Sequence, residues 1–131
     1  MPAELSWYDD SESILVCRFT GEFGIENYAV MEGQLPMMVR DGVGRVDVIL
    51  HLGGGAGLPP LRGIFQEIGI IINVMPDNFG VFVGVGDGFL LGNPLSVWMG
   101  HQVVKRYYSN GKVHVAASIP VAVQRIHQLR A

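Results

Sequence analysis

Two short runs in the middle of the chain are apolar on nearly every residue. They read VDVILHL (residues 46–52) and FGVFVGVG (residues 79–86), and β-branched residues are frequent in both. A strand with one face in solvent alternates apolar and polar residues, whereas a continuous apolar run is typical of a strand covered on both faces. The two runs therefore predict the centre of a parallel α/β sheet.

Three further strands are predicted around this pair. ELSWY and SILVCRFTGEF flank a polar cluster at residues 9–12, which favours an opening β-hairpin, and KVHVAA forms the last strand. In the second run, Ile14, Val16 and Arg18 should point to one face of the sheet. Alternate residues of this run, including Cys17, should point to the other. The hairpin is expected to add one antiparallel edge strand.

Helical patterns separate the strands, at residues 24–40, 59–74, 94–110 and 118–129. Pro36 should kink or split the first helix, because proline removes a helix hydrogen bond. Ser118 should cap the last helix. The order β-β-α-β-α-β-α-β-α predicts a small, mostly parallel sheet of about five strands with right-handed crossovers and four helices. We expect one domain spanning residues 1–131.

Composition restricts the partners and the compartment. The apolar fraction of 49% and the mean hydropathy of +0.32 favour a self-association surface, and the net charge of −3 does not favour nucleic acid. The single cysteine, Cys17, excludes an intramolecular disulfide and fits a reducing compartment. We find no signal-peptide pattern and no apolar run long enough to span a membrane. These features predict a cytoplasmic protein.

The element order and two local segments resemble the STAS family, which includes bacterial anti-sigma-factor antagonists and the cytoplasmic domains of sulfate transporters. VDVILHLGGGAGLPP lies where that family places a strand, a short loop and a helix, and SIPVAVQRI is similar to its final capped helix. The resemblance implies a regulatory domain that binds a protein partner.

The loop after residue 52 departs from the antagonist pattern. Those relatives carry a phosphorylatable serine or threonine there, whereas this chain has no serine or threonine between Thr20 and Ser96. His51 replaces the aspartate that ends the family's strand. A phosphoryl group needs an oxygen acceptor, so the resemblance implies an interaction module that has lost the phosphorylation switch.

Two glycine-rich turns, at residues 53–57 and 84–93, are the candidate ligand or partner sites. Open α/β sheets bind ligands at the carboxyl ends of their strands, where both turns should lie. The second turn has the spacing G-x-G-x-G instead of the dinucleotide pattern G-x-G-x-x-G, and no acidic residue follows Asp87. Both features count against a nucleotide site, which is kept as the alternative hypothesis. The candidates are His51, Gly53, Gly54, Gly55, Leu58, Gly84, Gly86, Asp87 and Asn93.

No catalytic or metal-binding pattern is found. Cys17 lies within an apolar strand, where a packing role is expected because a reactive thiol needs an exposed, electropositive setting. The four histidines (His51, His101, His114 and His127) have no i,i+4 pairing and no cysteine partner. We therefore expect no metal, no cofactor and no enzymatic activity.

Two features favour assembly with another chain. The run IFQEIGIIINVMP is apolar on most sides of a predicted helix, and a methionine pair occurs in the preceding helix. The self-association candidates are Met37, Met38, Ile70, Ile71 and Ile72. All 12 acidic residues precede residue 88, whereas five of the nine basic residues follow it, which favours pairing between two copies or with an acidic partner.

Two hypotheses of function follow from these patterns. The first is a non-enzymatic regulatory module that resembles an anti-sigma-factor antagonist and forms a homodimer. The alternative is a small-ligand or nucleotide-binding domain that uses the glycine-rich turns.

Overall fold

A computed structural model gives the fold of the chain and describes residues 3–19, 30–42, 44–52, 70–86 and 112–130. The described elements are, in chain order, β1 (Ala3–Trp7), β2 (Ile14–Phe19), a π-helical turn (Val30–Gln34), α1 (Leu35–Asp41), β3 (Val46–Leu52), α2 (residues 70–74), β4 (Phe79–Gly86), β5 (Val113–Ala116) and α3 (Ile119–Arg130).

The five strands form one sheet in the order β1-β2-β3-β4-β5. β1 pairs antiparallel with β2, and the β2–β3, β3–β4 and β4–β5 pairs are all parallel. The predicted mixed, mostly parallel sheet with an antiparallel hairpin at one edge is therefore confirmed. The predicted range 79–86 coincides with β4, and the other predicted strands overlap the observed ones to within a few residues.

Side chains alternate along the strands and divide the core into two layers. One cluster contains Leu15 and Val48 of the sheet together with Val39 of α1 and Ile71 of α2. The second cluster contains Val83 and other side chains of the opposite sheet face, packed against α3. The helices α1 and α2 therefore cover one face of the sheet and α3 covers the other, which fits strands that are apolar on both faces.

The first helical segment changes geometry next to its proline. A π-helical turn ends at Gln34, and α1 begins at Leu35 with Pro36 in its first turn. The proline has no N–H to donate, so it is tolerated at a helix start but not within a continuous helix. The backbone of Gln34 keeps right-handed helical angles, so the structure shows a change from π- to α-helical geometry next to Pro36 and not a break in the segment.

The last helix agrees closely with its sequence pattern. The Ser118 hydroxyl accepts a hydrogen bond from the Val121 N–H at 3.4 Å, as expected of an N-cap residue. Ala122, Val123 and Ile126 are buried against the sheet. Helix is described within three of the four predicted ranges. The predicted helix at 94–110 lies outside the described residues, so the number four is not confirmed.

In the part of the chain that the structure describes, no helix is both long enough and apolar enough to cross a membrane.

Candidate functional site

The structure places three of the predicted ligand candidates near the carboxyl ends of the central strands. His51 is the sixth residue of β3, and Gly84 and Gly86 lie in β4. Gly84 pairs with Leu50, and Gly86 pairs with Leu52. The other candidates of this group lie outside the described residues: Gly53, Gly54, Gly55, Leu58, Asp87 and Asn93.

A polar row crosses the sheet at the position of His51. Arg18 of β2 is the register partner of His51, and Glu4 of β1 is the register partner of Arg18. Arg18 and Glu4 are exposed, whereas His51 is partly buried. Neighbouring strands are about 4.8 Å apart, so these three side chains are neighbours on the α3 side of the sheet. The sequence pattern indicates His51 but not Arg18 and Glu4, because only the strand register brings the three residues together.

Cys17 lies on the opposite face of β2, fully buried in the core cluster beneath α1 and α2. Burial raises the pKa of its thiol to about 12. A thiol in this setting is protonated at neutral pH and is a poor nucleophile, which fits a packing role. The described residues contain no group of three or more His, Cys, Asp or Glu side chains that would hold a metal ion.

The amino end of the sheet contains a charged side chain that sequence reasoning did not single out. Asp47, the second residue of β3, is fully buried among apolar strands. Its Oδ1 accepts hydrogen bonds from the Val81 N–H at 2.8 Å and from the Arg45 guanidinium at 3.1 and 3.2 Å. Its Oδ2 accepts one from Arg130 Nε at 2.8 Å. Both carboxylate oxygens are therefore paired, as a buried charge requires.

The backbone explains why a carboxylate is needed at this point. The β3–β4 register shifts between Val46 and Val48, so that Asp47 lies opposite both Gly80 and Val81. Such a bulge leaves one backbone group without its ladder partner. The Asp47 carboxylate accepts the Val81 N–H and so replaces the missing strand–strand hydrogen bond.

Gly80 is the residue that makes room for this carboxylate. A Cβ atom at position 80 would overlap Asp47 Oδ1 and would lie 2.5 Å from Arg45 Nε. Any larger residue at position 80 must therefore displace the ion pair. The bulge, the glycine and the buried carboxylate form one structural unit.

Arg130 extends this network from β3 to the end of α3 and to Ser13, the residue before β2. Its guanidinium donates to the Ser13 carbonyl at 2.7 Å and to Ser13 Oγ at 3.1 Å, in addition to Asp47. Ser13 Oγ lies 2.9 Å from Ser11 Oγ, which in turn donates to Asp9 Oδ1. A continuous polar chain thus leads from the buried carboxylate to the solvent-exposed hairpin. We name this set the amino-end network: Asp9, Ser11, Ser13, Arg45, Asp47 and Arg130.

The self-association candidates differ in exposure. Met37 of α1 is 61% exposed and Ile70 of α2 is 51% exposed. Met38 and Ile72 are partly buried against the core, and Ile71 is fully buried within it. The side chain of Ile71 therefore does not reach the surface.

One further apolar side chain belongs with the exposed candidates. Val74, four residues after Ile70, is 54% exposed, and an i,i+4 spacing places two residues on the same side of a helix. Because α1 and α2 pack on the same sheet face, Met37, Ile70 and Val74 lie on the same outer helical layer. We name these three residues the α1–α2 apolar surface.

Fold and site together define a small α/β domain with a mostly parallel sheet, a fixed charge network at one end and an exposed apolar surface on one helical layer. No known protein-family description matches the chain, and no curated protein matches it either.

Proposed function

We propose that this protein is a non-enzymatic interaction module that forms a homodimer through the α1–α2 apolar surface. The observation that carries the proposal is the exposure of three large apolar side chains on one helical layer: Met37 at 61%, Ile70 at 51% and Val74 at 54%. Apolar groups that remain exposed on one side of a domain can mark an interaction surface. The unbranched methionine side chain adapts its shape to a partner surface.

The regulatory part of the proposal rests on the resemblance to STAS domains. Consecutive strands occupy neighbouring positions in the sheet, an antiparallel hairpin opens it, and a capped helix closes the described chain. These features support an architecture similar to that of anti-sigma-factor antagonists. Because residues 21–95 contain no serine or threonine, we propose that the module binds its partner without a phosphorylation switch in this segment.

Light scattering at micromolar protein concentration tests the dimer. We expect a mass of about twice 14.3 kDa for the natural chain. Met37→Lys combined with Ile70→Lys should give a monomer, because two ammonium groups cannot be buried without partners in a shared apolar contact. Both positions are exposed in the monomer, so the fold should tolerate the two lysines.

Val121→Lys is the matched control. Val121 is 46% exposed, but it lies on α3, on the other side of the sheet. It should leave the dimer intact. A natural chain that is monomeric throughout the micromolar range contradicts the proposal, and so does a Val121→Lys variant that dissociates as readily as the double lysine variant.

A second candidate function is favoured by the polar row at the carboxyl end of the sheet. Arg18 and His51 are register partners on neighbouring strands, close to where open α/β sheets bind ligands. We propose the alternative of a small-ligand or nucleotide-binding domain that uses this row together with the glycine-rich turns. A thermal-shift screen with nucleotides, sulfate and small anions tests it. A rise in Tm that both Arg18→Gln and Gly86→Val abolish would favour this alternative.

A further inference from the structure

A cleft of about 360 Å³ lies between the end of β5 and one side of α3, away from the α1–α2 apolar surface and from the amino-end network. The residues that line it include Ala116, Ala117, Val121, Gln124, Arg125 and Gln128.

The four helical residues of this lining form a single stripe. Val121, Gln124, Arg125 and Gln128 follow the spacing i, i+3, i+4, i+7, which places them on one side of a helix. The stripe that packs on the sheet consists of different residues, among them Ile126. The cleft stripe is therefore not needed for the core and is available to another molecule.

The chemistry of the lining is amphipathic. Arg125 brings a guanidinium, and in the part of the chain that the structure describes it forms no ion pair with a carboxylate. Gln124 and Gln128 supply amide donors and acceptors. Val121 is 46% exposed and Ala117 is exposed, so both can contribute apolar surface, whereas Ala116 is buried in the core behind them.

The cleft begins at the carboxyl end of β5, an edge strand of the described sheet. Ala116 ends β5, and Ala117 is the first residue beyond it. Ligands of open α/β sheets bind outside the carboxyl ends of the parallel strands. The volume lies near the lower end of the range of about 300–1,000 Å³ that small-molecule sites occupy, and polar and apolar groups line the cleft together.

We propose that this β5–α3 cleft binds a small aliphatic carboxylate. The planar guanidinium of Arg125 pairs with both carboxylate oxygens, and the glutamine amides donate to the same group. The aliphatic part of the ligand covers Val121 and Ala117. A single guanidinium matches a single negative charge, which favours a monocarboxylate over a phosphate. The carboxylate belongs either to a free acid or to the C-terminal residue of a peptide.

The proposal is tested by titrating the ¹⁵N-labelled full chain with four probes while its amide chemical shifts are recorded. The probes are isovalerate, its neutral isostere isovaleramide, N-acetylvaline as a mimic of a peptide C-terminus, and inorganic phosphate. Saturable shifts are expected at Ala117, Val121 and Gln124 with isovalerate or N-acetylvaline. Whichever of these two binds more tightly identifies the source of the carboxylate. Isovaleramide and phosphate should bind at least about tenfold more weakly, the equivalent of one lost charge-assisted contact.

Two substitutions separate the contributions. Arg125→Gln should weaken isovalerate binding about tenfold, whereas Arg40→Gln, which removes an exposed guanidinium from α1 on the other side of the sheet, should have no effect. Val121→Thr keeps the shape but adds a hydroxyl to the apolar part of the cleft, so it should weaken isovalerate binding. The proposal fails if no saturable shift occurs, if isovaleramide or phosphate binds as tightly as isovalerate, or if Arg40→Gln has the same effect as Arg125→Gln.

Discussion

β3 carries two polar side chains on the same face, one near each end, and their surroundings differ sharply. Asp47, at the amino end, is fully buried and accepts hydrogen bonds from a backbone amide and two arginines. His51, four residues later, is partly buried and lies next to the exposed Arg18. The same strand therefore ends in a closed charge network on one side and, on the other, in a polar row that reaches solvent at Arg18 and Glu4.

The difference shows how the fold divides structure from recognition. At the amino end, the Asp47 carboxylate replaces a hydrogen bond lost at the bulge, and Arg130 links the last turn of α3 to Asp47 and to Ser13. The polar groups at this end are therefore hydrogen-bonded within the protein. At the carboxyl end, exposed polar side chains remain accessible to another molecule, as is usual in α/β sheets. Four substitution experiments test this contrast, beginning with the largest expected effect.

Asp47→Ala should lower the free energy of unfolding by about 3–5 kcal/mol. It leaves the partly buried Arg130 guanidinium without its carboxylate and the Val81 N–H without an acceptor. Urea unfolding followed by circular dichroism measures the loss. His51→Gln at the opposite end is the comparison, and it should cost less than half as much. Equal costs at the two ends would refute the contrast between them.

Gly80→Ala should cost up to about 3 kcal/mol, because the added methyl group overlaps Asp47 Oδ1 and crowds Arg45 Nε. The same substitution in an Asp47→Ala background should cost much less, since the carboxylate that it strikes is gone. The double-mutant cycle therefore measures how closely the glycine and the carboxylate depend on each other. Additive costs would show that Gly80 is required for some other reason.

The two arginines of the amino-end network should contribute unequally. Arg130→Gln should cost about 2 kcal/mol, because the Arg130 side chain is only 23% exposed and donates to Asp47 and to Ser13. Arg45→Gln should cost less than about 1 kcal/mol, because Arg45 is 41% exposed and screened by solvent. Thermal unfolding of both variants measures the order. A larger loss for Arg45→Gln would contradict the assignment of Arg130 as the main partner.

The fold could be predicted from the sequence because its signals are local. The apolar run at 79–86 marks β4 residue by residue, and Pro36 marks the change from π-helical turn to α-helix. The alternation in β2 also predicted which residues face which layer of the core. The π-helical geometry itself has no local signal that would have revealed it.

The amino-end network could not be predicted in the same way. Asp47 is separated by 34 residues from Val81 and by 83 from Arg130, and no periodicity relates such distant positions. One usable signal was present: a single carboxylate within an otherwise apolar strand needs a buried partner. The polar row of Glu4, Arg18 and His51 likewise depends on strand register, which becomes visible only in the assembled sheet.

The smallest effect is expected where the amino-end network reaches solvent. Two hydrogen bonds from Ser11, first from its hydroxyl and then from its backbone N–H, lower the pKa of Asp9 below its ordinary value near 3.8, with smaller attractions from His127 and Arg130. Because the folded-state pKa is the lower one, this stabilisation is complete above about pH 3.8 and is lost as the pH falls through the folded-state value.

Carboxyl ¹³C shifts of Asp9, measured during an acid titration, should give the lowered pKa directly. Ser11→Ala should return it toward 3.8 while leaving the Asp47 contacts intact, since Arg130 donates to Ser13 and Asp47 independently of Ser11. If Ser11→Ala instead destabilised the protein as much as Arg130→Gln does, the hairpin would belong to the closed end of the sheet and not to its solvent-exposed boundary.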